Sequence, residues 1–390
     1  MTIPVKDGEK RILHVITVLS VGGAEMWLIE LLRHLQSLDE NNVEHESFEI
    51  LLTGGQPHDL DVLARSLGAT LHYIRFSRTR FPQFTQQFRK LLRTRKYSAI
   101  HDHQDYAAGW HLLAGAGTLP PVRIVHVHNA HARLAEASRT LFRRWLIAMS
   151  RVSIRNLSTH ILGTSNDILG QYEFTPERFP NQVVRCLHCG FDTARFAEDH
   201  ARARVAVCEE FGWPPDSRIV LFVGRLDAFK NADFAIDVAR TAMEGGCDMR
   251  FLMVGGGEDA RARLEHDVEA SGYSSRIRLT GRRLDVPRLM SASHCFLFPS
   301  LQEGLGMVAV EAQAAGVRVI ASDAVSREVV VVPGLVEFLP LSAGVSAWSE
   351  VLCRALDMPR ADTADSNARV ESSSFSIGSS YNALHSIYAG

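Results

Sequence analysis

The sequence predicts an α/β protein made of two doubly wound halves, each a parallel sheet covered by helices. Three observations predict it. Short apolar runs alternate with helical stretches along the chain, the rhythm of strands each followed by a helix. The runs are apolar enough to suit strands covered on both faces. The rhythm also restarts after Gly190, in a chain of 390 residues that is long for one core and suited to two.

Taken in order, residues 11–18 read as a strand and 24–36 as an amphipathic helix. Residues 48–52, 70–74, 98–101 and 123–127 read as further strands. After Gly190, residues 218–223 form a strand, 231–243 a helix, 249–254 a strand and 263–270 a helix. Short strands follow at 276–279, 294–297 and 318–320. The Ser-rich run 372–380 reads as a crossing segment before a last helix at 381–388. The domains this implies are 1–190 and 191–374, with 375–390 returning to the first. A ligand is expected where the carboxyl ends of the two sheets face each other.

Composition narrows the class. Hydrophobic residues are 46% and charged residues 22%, a globular balance. No apolar run approaches the roughly 20 residues of a membrane span. Residues 1–10 lack the apolar centre of a signal peptide. Six cysteines are too few for a disulfide scaffold and fit a reducing compartment. The expected location is cytoplasmic. The net charge of −2 hides an asymmetry, since residues 1–190 hold 22 Lys+Arg against 17 Asp+Glu. Residues 62–101 contain nine basic residues and no acidic one, and 137–166 are also free of acids. Such stretches are solvated helix faces or a surface that meets anionic lipid.

Three motifs carry chemistry. Gly22-Gly23-Ala24-Glu25 follows the first strand, where glycines let backbone N–H groups approach an anion at a helix start. It also reads as a plain tight turn. Arg225 and Lys230 lie five apart on the loop leaving the strand 218–223, with Asn231 placed to cap the next helix. A planar fork and a point charge there suit a diphosphate, although an exposed basic loop would look alike. The third motif runs from Pro299 to Glu311. Glu303 is expected on its Gly-rich loop and Glu311 eight residues on, inside the following helix. Carboxylates there can accept hydrogen bonds from sugar and ribose hydroxyls.

These motifs, with His101-Asp102-His103, the His128 segment 123–128, Gly190-Phe191-Asp192, Gly255-Gly256-Gly257-Glu258 and Gly281-Arg282, resemble the large family-four, or group one, retaining glycosyltransferases of GT-B fold. The resemblance covers nearly the whole chain and is strongest to bacterial exopolysaccharide and capsule enzymes, through residues 334–341 and Trp348. Two departures stand out. Cys189 replaces the usual Asn at the junction, and 329–332 is unusually apolar on the acceptor side.

The resemblance implies an acceptor-binding first domain, a donor-binding second domain and transfer from a nucleotide-diphosphate sugar, UDP-sugar ahead of GDP-mannose. It implies that Arg225 and Lys230 hold the diphosphate, Glu303 the donor sugar and Glu311 the ribose. The amides of Gly304, Leu305, Gly306, Met307 and Val308 would face phosphates and sugar, and Arg282 and Leu284 would flank the base. His128 would line the sugar pocket near the reacting centre, and Gly22 and Gly23 would belong to the donor site. The expected acceptor is a glycan or a polyprenyl-diphosphate-linked sugar, met on the inner face of an anionic membrane. No metal, cofactor or nucleic acid is expected. Other readings leave part of the pattern unexplained. A metal-dependent hydrolase would use His101, His103, His126 and His128, with His131 and Asp105 nearby. A nucleotide-sugar epimerase would need no acceptor, and a non-catalytic sensor would bind donor without turnover. A dehydrogenase lacks its glycine spacing, and Cys186-x-x-Cys189 is a single pair at the domain joint.

Overall fold

A computed structural model describes residues 10–41, 43, 45–130 and 140–389. It divides the chain into two compact units, Met1–Phe191 with Ile377–Gly390, and Asp192–Ser376. His131 and Arg139 lie outside the described residues.

The first unit holds a parallel sheet of seven strands. They are β1 (Arg11–Ile16), β2 (Ser47–Leu52), β3 (Thr70–Tyr73), β4 (Ala99–Asp102), β5 (Val122–Val127), β6 (His160–Gly163) and β7 (Val183–Cys186). Their order is β3-β2-β1-β4-β5-β6-β7, so strand order reverses between β1 and β4. In β1 and β2 five of six residues are buried, because helices cover both faces.

The second unit repeats the plan with six strands. They are β8 (Ile219–Val223), β9 (Arg250–Val254), β10 (Ile277–Leu279), β11 (Cys295–Phe298), β12 (Arg318–Ser322) and β13 (Val336–Leu339). Their order is β10-β9-β8-β11-β12-β13, all parallel, with the reversal between β8 and β11. Trp348, fully buried, fills the core beside Phe222, Phe251 and Met253, and its indole N–H donates to the Pro340 carbonyl at 3.1 Å. That bond spares the ring a buried, unpaired donor.

The last helix begins at Ile377, inside the Ser-rich run, and ends at Tyr388. It packs on the helix Gly23–Glu40 of the first unit. Ser380 lies at that contact, accepting from the Trp27 indole at 3.1 Å and donating to the His188 carbonyl at 3.0 Å. Tyr381 donates to the buried Glu46 carboxylate at 2.9 Å. Phe84 and Phe88, on the helix Phe81–Arg95, are buried in the first unit's core, so the aromatics of the basic stretch 62–101 are packing residues.

Candidate functional site

Crevices at a reversal of strand order are where doubly wound sheets take their ligands. In the second unit the loops leaving β8 and β11 meet at that reversal. The Leu301 N–H donates to the Phe229 carbonyl at 2.7 Å and ties the two loops together. Lys230 Nζ consequently sits 2.5 Å from Glu303 Oε1, with 15% and 8% of the two side chains exposed. The ammonium also lies over the Phe298 ring, 5.1 Å from its centre. A cation held between carboxylate and ring is pre-positioned, with little water to lose. Arg225 differs. Its side chain is 57% exposed and reaches Asp227 at 3.3 Å. Asp227 also accepts the Lys230 N–H at 3.0 Å, so one carboxylate shapes the whole loop.

The remaining second-unit residues gather around these loops. A Cβ on Gly255 would fall 1.6 Å from the Gly224 carbonyl, so the turns after β8 and β9 touch backbone to backbone. Arg282 lies against the same turn, its Nε 2.5 Å from where a Gly256 Cβ would be. Leu284 is exposed. Glu303, Gly304 and Leu305 follow β11 on the loop. Gly306 enters the helix Met307–Ala314 at φ +95°, with its Cβ position 2.9 Å from the Phe298 ring, a place only glycine suits. Met307 and Val308 open the helix, where backbone N–H groups lack intrahelical acceptors, and Glu311 lies within it. Asn231 precedes the helix Ala232–Glu244 in a left-handed conformation, and its side chain makes no capping bond. The sequence reading expected that cap.

Gly22, Gly23 and His128 belong to the first unit. Gly22 begins the helix Gly23–Glu40, accepting from Met26 N–H at 2.9 Å. Trp27 on that helix lies 6.0 Å from the His128 ring, centre to centre. Alternation along the strands brings five imidazoles together behind it. His14 Nδ1 is 3.0 Å from His103 Nε2, and His103 Nδ1 is 3.0 Å from His128 Nε2. In parallel, Tyr388 OH meets His101 Nδ1 at 2.7 Å, and His101 Nε2 meets His126 Nδ1 at 3.2 Å. Burial pushes His14 and His128 down to about 3, and His101, His103 and His126 well below the ordinary histidine range. Ring nitrogens of His14, His101 and His103, and of His103, His126 and His128, lie within 4.8 Å of one another, close enough for a metal. Most of them already serve as each other's hydrogen-bond partners.

Sequence reading passed over three residues that shape these places, and named Asp105 only as a neighbour of the histidines. Phe298 and Asp227 brace the second unit's cations. In the first unit Asp105, buried at φ +47°, accepts from the His128 N–H at 3.0 Å and from Asn129 Nδ2 at 2.8 Å. Burial raises its carboxyl to about 6. Trp27 is the third of those passed over. Only Asp227, two residues from Arg225, carried a signal in the sequence.

The family model described as Glycosyltransferase Family 4 matches residues 21–195, and that described as Glycosyl transferases group 1 matches 217–357. The chain belongs to the group 1, family-four glycosyltransferases. Among similar proteins is the putative glycosyltransferase EpsF of Bacillus subtilis, 29% identical over 351 residues, spanning 90% of this chain and 88% of that protein. Another is the capsular polysaccharide biosynthesis glycosyltransferase CapH of Staphylococcus aureus, 24% identical over 80% of this chain and 81% of that one. Anabaena HepE, solved with UDP and glucose, superposes with a TM-score of 0.75 at 16% identity over 98% of this chain and all of that one. WaaG, a glycosyltransferase of lipopolysaccharide biosynthesis, gives 0.67 at 16% identity over 97% of each chain. The fold is that of the GT-B glycosyltransferases, two Rossmann-like parallel-sheet units.

Proposed function

We propose that this glycosyltransferase is a retaining hexosyltransferase of polysaccharide biosynthesis. It moves a sugar from a UDP donor to a glycan carried on a polyprenyl diphosphate, at the inner face of an anionic membrane. The observation that carries the reading is the Lys230–Glu303 pair at the reversal between β8 and β11, with Arg225 exposed beside it.

The pair is arranged to be opened by the donor. A diphosphate entering the crevice meets Arg225 first, as a planar two-pronged donor. It then competes with Glu303 for Lys230. Glu303, released from the ammonium, accepts from hydroxyls of the donor sugar, so phosphate and sugar recognition are exchanged in one event. The loop amides of Gly304 and Leu305 and the helix-start amides of Gly306, Met307 and Val308 add their dipoles to the phosphates. Glu311 accepts from the ribose diol, and Arg282 and Leu284 flank the base. As the bond from anomeric carbon to phosphate oxygen breaks, charge grows on the leaving diphosphate, where fixed cations act most strongly. The acceptor hydroxyl bonds to the anomeric carbon from the same face and passes its proton to the leaving phosphate oxygen. From the first unit, His128, Gly22 and Gly23 are assigned to donor recognition, and His128, neutral at ordinary pH, adds no charge to it.

UDP is favoured over GDP by the resemblance and by HepE, which was solved with UDP-glucose as well as with UDP and glucose. A thermal-shift series with UDP, UDP-sugars, GDP and GDP-mannose tests the donor, since ligand that binds only the folded chain raises stability with the logarithm of its concentration. UDP compounds should shift the midpoint and guanosine compounds should not. The reverse order would replace the donor. Product of inverted anomeric configuration would overturn retention.

A further inference from the structure

The helix Leu141–Leu157 has two unlike faces. Its inner face is small and close-fitting. Ser150, Ser153 and Ile154 are buried, and Ser150 lies so near Gly109 that a Cβ there would fall 2.3 Å from its carbonyl. Its outer face is apolar and exposed. Leu141 is 81% exposed, Phe142 61%, Trp145 53% and Val152 51%, with Met149 beside them. At about 100° per residue these five fall within an arc of about 100°. Arg144, Arg151 and Arg155 fall within about 40° of one another along one flank of that arc. Phe142 and Trp145 stack, ring centres 6.1 Å apart.

An apolar stripe this wide costs stability in water unless something covers it. Its chemistry selects the cover. Residues 137–166 contain no carboxylate, and among the described residues Arg151 of the flanking arginines reaches one, Glu173 at 3.3 Å on the surface. An exposed pair of that kind holds weakly and yields to a denser field of anions. Aromatic rings beside a row of arginines suit the boundary between acyl chains and anionic headgroups. In the other basic stretch, 62–101, Phe84 and Phe88 are buried, so that surface offers charge with little apolar area to insert.

We propose that the first unit lies on an anionic lipid bilayer through the helix Leu141–Leu157, inserting Leu141, Phe142, Trp145, Met149 and Val152 while the arginine flank meets the headgroups. The purpose of the contact rests on the lipid-linked acceptor reading above. The contact itself can be measured without any acceptor.

Flotation of the full chain tests it, with vesicles of phosphatidylcholine alone or mixed with phosphatidylglycerol. Three proteins are compared: wild type, Phe142→Ser/Trp145→Ser, and Lys90→Gln/Arg93→Gln in the other basic stretch. A UDP thermal shift confirms that each is folded. Wild type should float with the mixed vesicles and be released by salt. The Phe142→Ser/Trp145→Ser protein should lose vesicle affinity more than about tenfold, having lost two large inserting side chains. The Lys90→Gln/Arg93→Gln protein should keep most of it. If wild type floats and the Phe142→Ser/Trp145→Ser protein floats equally well, this helix is not the contact, while the membrane location stands. Failure of wild type to float on any vesicle overturns both. A concentration-dependent dimer lost in Phe142→Ser/Trp145→Ser, without flotation, overturns the proposal in favour of a second copy.

Discussion

The two units share a plan and use it in opposite ways. Each is a parallel sheet whose strand order reverses once, between β1 and β4 or between β8 and β11. In the second unit the central strands bury Phe222, Met253 and Leu297, an apolar core, and Arg225, Lys230 and Glu303 lie on the loops at their carboxyl ends. In the first unit polar chemistry runs back into the sheet, with His14, His101 and His126 buried on β1, β4 and β5. The surfaces differ as well. Large exposed apolar residues of the second unit, such as Val205, Leu284 and Met358, are scattered along its sequence, whereas the first gathers five on one helix. Fold alone therefore does not say where a doubly wound unit keeps its functional groups. One unit spends its polarity on charge at the mouth. The other keeps neutral rings inside and charge on an outer face.

The largest expected effect breaks the comparison at the second unit's mouth. Arg225→Ala and Lys230→Ala should each slow transfer by about 10²–10³, the range seen when one group that stabilises developing charge is removed. Lys230→Ala carries a further signature, because it frees Glu303 from the contact that holds it. Lys230→Ala/Glu303→Ala should therefore show strong non-additivity in kcat/KM, as contacting residues do. Simple addition, or near-native turnover in both single variants, would remove the pair from the site.

A smaller effect separates the cores. Unfolded histidine has a pKa near 6.5. Burial holds His14 and His128 at about 3, with His101, His103 and His126 also well below the ordinary value. Below pH 6.5 the unfolded chain therefore binds protons that the folded first unit refuses. Stability is fully present above that pH and falls as pH drops towards the folded value. Each histidine adds about 1.4 kcal/mol per pH unit to the slope. In the second unit burial lowers His200 to about 4 and His294 to about 3, a shorter roster among the described residues. Between pH 6 and pH 4 the first unit should lose stability more steeply. Pulse proteolysis of the full chain in urea, with fragments assigned to each half by mass, reads both slopes, and equal slopes would dissolve the contrast. His101→Gln should flatten only the first.

The same contrast explains what the sequence disclosed. The central strands β8 and β11 were legible because burial on both faces leaves an unbroken apolar run, and β1 was legible from its apolar residues on either side of His14. β7 and β13 were not. They are the outer strands of their sheets, partly exposed along most of their length, so the run that marks a buried strand is missing. β6, an inner strand, is only four residues long and ends at Gly163. The last helix begins at Ile377, within serines read as a crossing segment, because Ser380 earns its burial through bonds to Trp27 and His188 far away in sequence. At the second unit's mouth the Gly-rich loop and both glutamates were legible from local pattern. The Lys230–Glu303 contact was not, since 73 residues separate the pair and only the reversal between β8 and β11 brings their loops together.

The smallest expected effect is no effect, and it tests whether the imidazoles of the first unit act as metal ligands. Among the described residues two all-histidine triads are close enough to hold an ion, and both contain His103. His103 has committed both nitrogens, one to His14 and one to His128, each at 3.0 Å. An ion would have to break those bonds and bring two positive charges into a core where five neutral rings are packed together, a costly exchange without a carboxylate ligand. The reaction proposed for the second unit makes no demand for it, because in that proposal Arg225, Lys230 and the amides at Gly306–Val308 oppose the charge of a diphosphate. Transfer should survive prolonged EDTA treatment unchanged, with metal content followed by elemental analysis. Complete loss restored by zinc, and abolished by His103→Ala in a protein that still binds UDP, would place a metal in the stack and make the first unit a partner in the chemistry.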